Sequence, residues 1–104
     1  MTVGVYCFEL HLPGSQSLKQ KRQVLRRLKD RLRSRHNVAL VEDEAYQDKW
    51  QRAALTLVSV ASNKDVLVRL FDAVREDTET QIPGHFIESA SDFIDLAGGD
   101  ENWA

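Results

Sequence analysis

A chain of 104 residues with 42% hydrophobic and 29% charged residues has the composition of one soluble globular domain, long enough to bury a core without disulfide or metal support. Its single cysteine excludes an internal disulfide, and it contains neither a signal-peptide pattern nor an apolar run of about 20 residues, so we expect a cytoplasmic protein that does not enter a membrane. The net charge of −2 excludes a uniformly basic nucleic-acid-coating protein, yet residues 15–36 carry nine basic residues and one acid, against five basic and fifteen acidic residues elsewhere.

The first predicted element is a strand over residues 3–12, where side chains alternate between two faces. Tyr6, Phe8 and Leu10 fall on one face, and Cys7 and Glu9 fall on the other. A Pro-Gly-Ser sequence at positions 13–15 then ends the strand. The alternation predicts a half-buried strand whose Tyr6 face contacts the core.

A helix is predicted to begin at Ser17, because Ser17 and Gln20 have the spacing of a capping box. Its apolar stripe consists of Leu18, Leu25, Leu28 and Leu32. Lys21 projects into this stripe, and we expect its ammonium group to extend past the leucines to solvent or to pair with an acid such as Asp48.

One side of this helix is strongly basic, and we call it the basic flank. At 100° per residue its members share a sector about 80° wide. They are Lys19, Arg22, Arg26, Lys29 and Arg33. Two interpretations remain open: a surface for the phosphates of a polyanion, or a solvated face paired with the acidic remainder of the chain. The helix lacks aromatic residues that stack on bases, so contact with the backbone or shape of RNA is favoured over sequence reading.

The remaining pattern predicts three more strands and a second helix. Residues 38–43 form a short strand, and residues 44–49 form a loop or hairpin tip. Residues 51–61 are apolar on both faces and are placed centrally in the sheet. A helix capped by Asn63 ends before Ile82. In the last strand, residues 85–96, the alternation changes phase between Phe86 and Phe93, which indicates a bulge.

The element order β-α-β-β-α-β predicts an α+β, ferredoxin-like fold with a four-stranded antiparallel sheet and both helices on one face. The helices should cover the face that carries Tyr6, leaving the face that carries Cys7 open. We assign residues 1–96 to this single domain and residues 97–104 to a flexible tail.

Two blocks of sequence resemble a known family. LHLPGSQSLKQKR, residues 10–22, and DKWQRAALTLVSVASN, residues 48–63, are similar to the YlxP-like family of small bacterial proteins of unknown function. The resemblance implies the ferredoxin-like fold. Because genes of this family often lie near genes for translation and ribosome maturation, it also implies a connection to RNA or the ribosome. It supplies no catalytic residues.

The sequence contains no convincing catalytic or metal-binding arrangement. Its three histidines and Cys7 lack metal-ligand spacing, and it has no phosphate-binding glycine loop or nucleophile motif. The acids Glu42, Asp43, Glu44 and Asp48 lack the spacing of a calcium loop and are expected to be solvated or to pair with the basic helix. We therefore predict a protein without catalysis, cofactor or small-molecule substrate.

Two binding functions fit these features. The first is docking on structured RNA, in particular ribosomal RNA, through the basic flank. The second is protein–protein interaction, as a homodimer through the open sheet face around Val5 or through the sheet edges. Trp50 and Arg52, where a loop enters the third strand, are candidate partner-binding residues, although a tryptophan at such a place can instead fill the edge of the core.

Overall fold

The sheet of this protein has its first and third strands at the centre. A computed structural model describes residues 1–82 and 86–96. The elements are β1 (Thr2–His11), α1 (Leu18–Arg35), β2 (Ala39–Glu42), β3 (Arg52–Ala61), α2 (Lys64–Gln81) and β4 (Phe86–Asp95). The strand order is β2-β3-β1-β4, and every neighbouring pair is antiparallel. The predicted ferredoxin-like fold is confirmed, as is the central position of β3.

The core lies between the helices and one face of the sheet. Along β1 the side chains alternate in burial, with Tyr6, Phe8 and Leu10 buried and Cys7 exposed. The leucine stripe of α1 and the apolar side of α2 pack over this face, which includes Leu55 and its neighbours on β3. Burial of each such side chain contributes about 1.5–3 kcal/mol. Among the described elements, neither helix covers the opposite face of the sheet.

Both helices begin at the predicted caps. Ser17 Oγ accepts a hydrogen bond from the backbone N–H of Gln20 at 3.1 Å, and Asn63 Oδ1 accepts one from Val66 at 3.1 Å. The predicted capping box is not reciprocal, because the Gln20 side chain accepts from the N–H of Gln16 rather than that of Ser17. The Gln20 side chain therefore satisfies the backbone N–H of Gln16, which precedes the cap, and α1 still begins directly after Ser17.

The last strand contains the predicted bulge. Glu9 pairs with Glu88, but Leu10 pairs with Phe86, so Ile87 is an extra residue in β4. This shift places both Phe86 and Phe93 against the core. The segment predicted as a loop or hairpin tip contains a 3₁₀ turn, Glu44–Tyr46. The predicted tail, 97–104, and His85 lie outside the described residues.

Candidate binding surfaces

The basic flank borders a shallow cleft between α1 and β2. The cleft has a volume of about 410 Å³. Four members of the flank line it together with acids and one leucine: Arg22, Arg26, Lys29 and Arg33, with Leu25, Asp30 and Glu42. Lys19 is exposed one turn before Arg22, at the start of the helix. The fold thus brings the predicted RNA-binding residues together on one surface.

Carboxylates neutralise this surface only in part. Lys29 Nζ lies 3.1 Å from Glu42 Oε1, so this member of the flank has an internal partner. Arg33 donates to the carbonyl of Leu40 at 3.3 Å, which orients its guanidinium without cancelling its charge. Within the described residues, Arg22 and Arg26 form no ion pair. Among the described residues, Lys29 is therefore the one member of the flank whose charge is paired with a carboxylate.

The other basic side of α1 is held by a single carboxylate of α2. Asp77 accepts a hydrogen bond from Arg31 Nε at 2.6 Å and lies 3.0 Å from His36 Nε2. Arg35 Nε lies 3.4 Å from the same carboxylate. Burial alone would raise the pKa of Asp77, but the hydrogen bonds from Arg31 and His36 and the charges of the two arginines outweigh it and lower the pKa. These side chains connect α1 to α2, and no residue near them in the sequence indicates this contact.

Lys21 is buried, so the prediction that it extends to solvent is wrong. It is 2% exposed, and its ammonium group donates to the backbone carbonyl of Tyr46. Its carboxylate partner is Glu42, at 3.8 Å, rather than Asp48. Desolvation by burial lowers the pKa of Lys21, while the charges of Glu42 and Asp48 oppose this shift. Lys21 thus fastens the 3₁₀ turn to α1, and it cannot reach a partner molecule.

Trp50 is 54% exposed, which contradicts the interpretation that it fills the edge of the core. It lines an open pocket of about 450 Å³ beside Tyr46 and Arg52. Arg52 lies 2.7 Å from a Glu9 oxygen and stacks 4.6 Å from the Tyr46 ring centroid, while its Nε is buried with no hydrogen-bond acceptor among the described residues. Arg52 is thus fixed in place, whereas Trp50 is available to a partner, and their predicted partner-binding role stays a prediction.

The open face of the sheet carries an apolar surface that we call the open-face patch. Pairing of the strands aligns Val5 with Val58 on β3, and Val3 with both Val60 and Ile94. The patch consists of Val3, Val5, Val41, Val58, Val60 and Ile94. Sequence reasoning identified only the β1 members, although the period-2 pattern of β3, where Val58 and Val60 alternate with buried Leu57 and Ser59, could have revealed two more.

Across residues 1–82 and 86–96, no cluster of three histidine, cysteine or acidic side chains could hold a metal ion. Cys7 is exposed on the open face and accepts a hydrogen bond from Thr56 Oγ1 at 3.4 Å. Neither α1 nor α2 has a stretch long and apolar enough to cross a membrane.

Comparisons with known proteins agree with the fold. A family model described as "Protein of unknown function (DUF503)" matches residues 3–90. The "Uncharacterized protein YlxP" of Bacillus subtilis (strain 168) is 42% identical over 48 residues, which are 46% of this chain and 51% of that protein. The match therefore spans about half the length of this curated relative.

Two solved structures share the architecture. A crystal structure named "Putative Chlorite dismutase TA0507" matches 99% of this chain and 48% of its own, with a TM-score of 0.61 and 8% identity. The de novo designed protein Foldit4 matches 91% of this chain and 98% of its own, with a TM-score of 0.52 and 11% identity. At such low identity the likeness is one of fold alone.

Proposed function

The chain belongs to the YlxP-like family of proteins of unknown function (DUF503), and on that premise we propose that it is a non-catalytic module that docks on structured RNA, such as ribosomal RNA, through the basic flank. The observation that carries the proposal is the uneven distribution of carboxylates around α1. Asp77 binds the cations on one side of the helix, whereas Arg22 and Arg26 on the other side form no ion pair within the described residues.

The dimensions of the flank suit a nucleic-acid backbone. Arg22 and Arg33 are eleven residues apart, which is about 16 Å along a helix, long enough to face several phosphates. The cationic groups repel one another, and a row of phosphates would relieve this repulsion through charge-assisted hydrogen bonds. Contacts of this kind fix a protein on the backbone without reading sequence, so the expected ligand is a folded or duplex RNA.

The proposal is tested by measuring the affinity for a short RNA hairpin as a function of salt concentration. Each phosphate contact contributes roughly 0.7–0.9 to the slope of log affinity against log salt. Changing Arg22 or Arg26 to Ala should therefore reduce the slope by about one each. Lys29→Ala should reduce it less, because Lys29 is already paired with Glu42 at 3.1 Å.

Arg69→Ala is the matched control, because Arg69 is an exposed arginine on α2 that lies outside the basic flank. Its removal should leave the slope unchanged. If the protein shows no RNA binding at about 50 mM salt, or if Arg69→Ala weakens binding as much as Arg26→Ala, the basic flank is not an RNA-binding surface.

A further inference from the structure

The open-face patch contains four of the exposed aliphatic side chains in the described part of the chain, Val41, Val58, Val60 and Ile94. Val41, Val60 and Ile94 are 63%, 52% and 53% exposed, and Val58 is 37% exposed. They lie in adjacent rows across all four strands, so they form one continuous surface rather than scattered residues. Contiguous apolar surface of this kind marks an interaction site.

The chemistry of the patch favours a second copy of the same chain. The strand pairing places no basic side chain among these rows, and Asp92, opposite Val5 on the edge strand β4, is the acid nearest to them. At the far end of the face, Glu9 and Arg52 are paired with each other at 2.7 Å. Apart from Asp92 at its β4 edge, the patch is apolar, and an apolar patch can face a second copy of itself across a two-fold axis.

The size of the patch is sufficient for a dimer of modest affinity. Strands about 4.8 Å apart and about 3.3 Å per residue give seven residues on each of the three long strands, together with short β2, an area of roughly 400 Å². Two copies would remove roughly 800 Å² or more from water, because the side chains that project from the sheet add to this flat area. Specific interfaces bury about 1,000 Å² or more, so the contact lies near this threshold and should depend on concentration.

We propose that two copies of this chain associate through their open-face patches, with the sheets packed face to face and Val5 close to the two-fold axis. The sheets would lie about 10 Å apart, as in other stacked sheets. Both α1 helices would then lie on the outer sides of the dimer, so the basic flanks would stay exposed. The interface would also bury Cys7, which lies next to Val5 on the same face.

Sedimentation analysis across a range of protein concentrations, without RNA, tests this proposal. The wild-type chain should shift from one to two copies per particle as its concentration rises. Val60→Glu should raise the dissociation constant by at least about tenfold, because it would bury an unpaired carboxylate in the interface. Val60 is 52% exposed in the single chain, so the variant should fold, which circular dichroism would verify.

Val68→Glu is the matched control, because Val68 is 38% exposed on α2, on the other side of the sheet. It should dimerise like the wild type. Position 5 can be mapped directly with a short bifunctional maleimide, which spans the separation of about 10 Å between the sheets that a direct disulfide cannot. A Val5→Cys, Cys7→Ser chain should form a cross-linked dimer, whereas a Val68→Cys, Cys7→Ser chain should not.

Three results would overturn the proposal. The first is a wild-type chain that stays monomeric up to about 1 mM, which would leave the patch to a different partner or to none. The second is a dimer that Val60→Glu leaves intact, which would place the interface elsewhere. The third is equal maleimide cross-linking at positions 5 and 68.

Discussion

Asp77→Asn tests whether one carboxylate holds the two helices together. Asp77 is 8% exposed and accepts a hydrogen bond of 2.6 Å from Arg31. Hydrogen bonds to charged groups contribute about 1.5–3 kcal/mol, and the 34% exposure of Arg31 places this one toward the lower end. His36 at 3.0 Å adds to it, whereas Arg35, 55% exposed at 3.4 Å, adds little. We expect the substitution to lower the free energy of unfolding by about 2 kcal/mol at pH 7.

The pH dependence of this loss separates the charge of Asp77 from its shape. The pKa of Asp77 is lowered from 3.8 in the folded protein, so its stabilising contribution is present above that value and disappears as the pH falls through the lowered pKa. Asparagine has no such contribution at any pH. The difference between wild type and variant in urea unfolding should therefore be largest near neutral pH and shrink toward about pH 3.

Glu79→Gln supplies the control for this experiment. Glu79 is also on α2 and forms an ion pair with Arg75 at 2.8 Å, but both side chains are about half exposed. Removing this pair should leave stability unchanged within error, because solvent screens it. If Asp77→Asn is as stable as the wild type, or if its loss of stability does not change between pH 7 and about pH 3, the ion-pair interpretation is refuted.

Two further predictions concern the buried lysine and the glycine of β1. Lys21→Met should change the free energy of unfolding by less than about 1 kcal/mol. Glu42→Gln should lower the free energy of unfolding by about 1–2 kcal/mol, because it removes the carboxylate nearest to a buried ammonium group. A larger loss for Lys21→Met than for Glu42→Gln in urea unfolding would contradict this. Gly4→Ala should lower the free energy of unfolding by about 1–3 kcal/mol, because a Cβ at this position would lie 2.9 Å from the Phe71 ring. Gly14→Ala is the control: a Cβ there would have no neighbouring atom within 4 Å, so thermal unfolding should be unchanged.

The fold could be predicted from the sequence because its signals are local. The alternation around Tyr6 identified β1 and its buried face, and Ser17 and Asn63 identified the starts of both helices. The phase change between Phe86 and Phe93 revealed the bulge in β4. Each signal depends on residues within a few positions of one another, so no knowledge of the tertiary structure was required.

The partners of the basic residues could not be predicted, because they come from distant segments. Arg31 and Asp77 are 46 positions apart, and Lys21 and the carbonyl of Tyr46 are 25 apart. Only the packing of α1 against α2 and against the 3₁₀ turn determines which cations are paired. The exposure of Trp50 also depends on how the turn folds back, so the core-filling interpretation from sequence was wrong.

The two proposed surfaces lie on opposite sides of the sheet, and this arrangement makes them separable. Val60 is on the open face of the sheet, whereas Arg26 is on α1, which packs against the opposite face. A substitution at one of these residues therefore leaves the surface around the other unaltered. A dimer would present two basic flanks, and a ligand long enough to reach both would bind more tightly through the raised effective concentration of the second site. A hairpin that contacts one flank would gain nothing. Val60→Glu should therefore weaken binding to long RNA while leaving the affinity for a short hairpin unchanged.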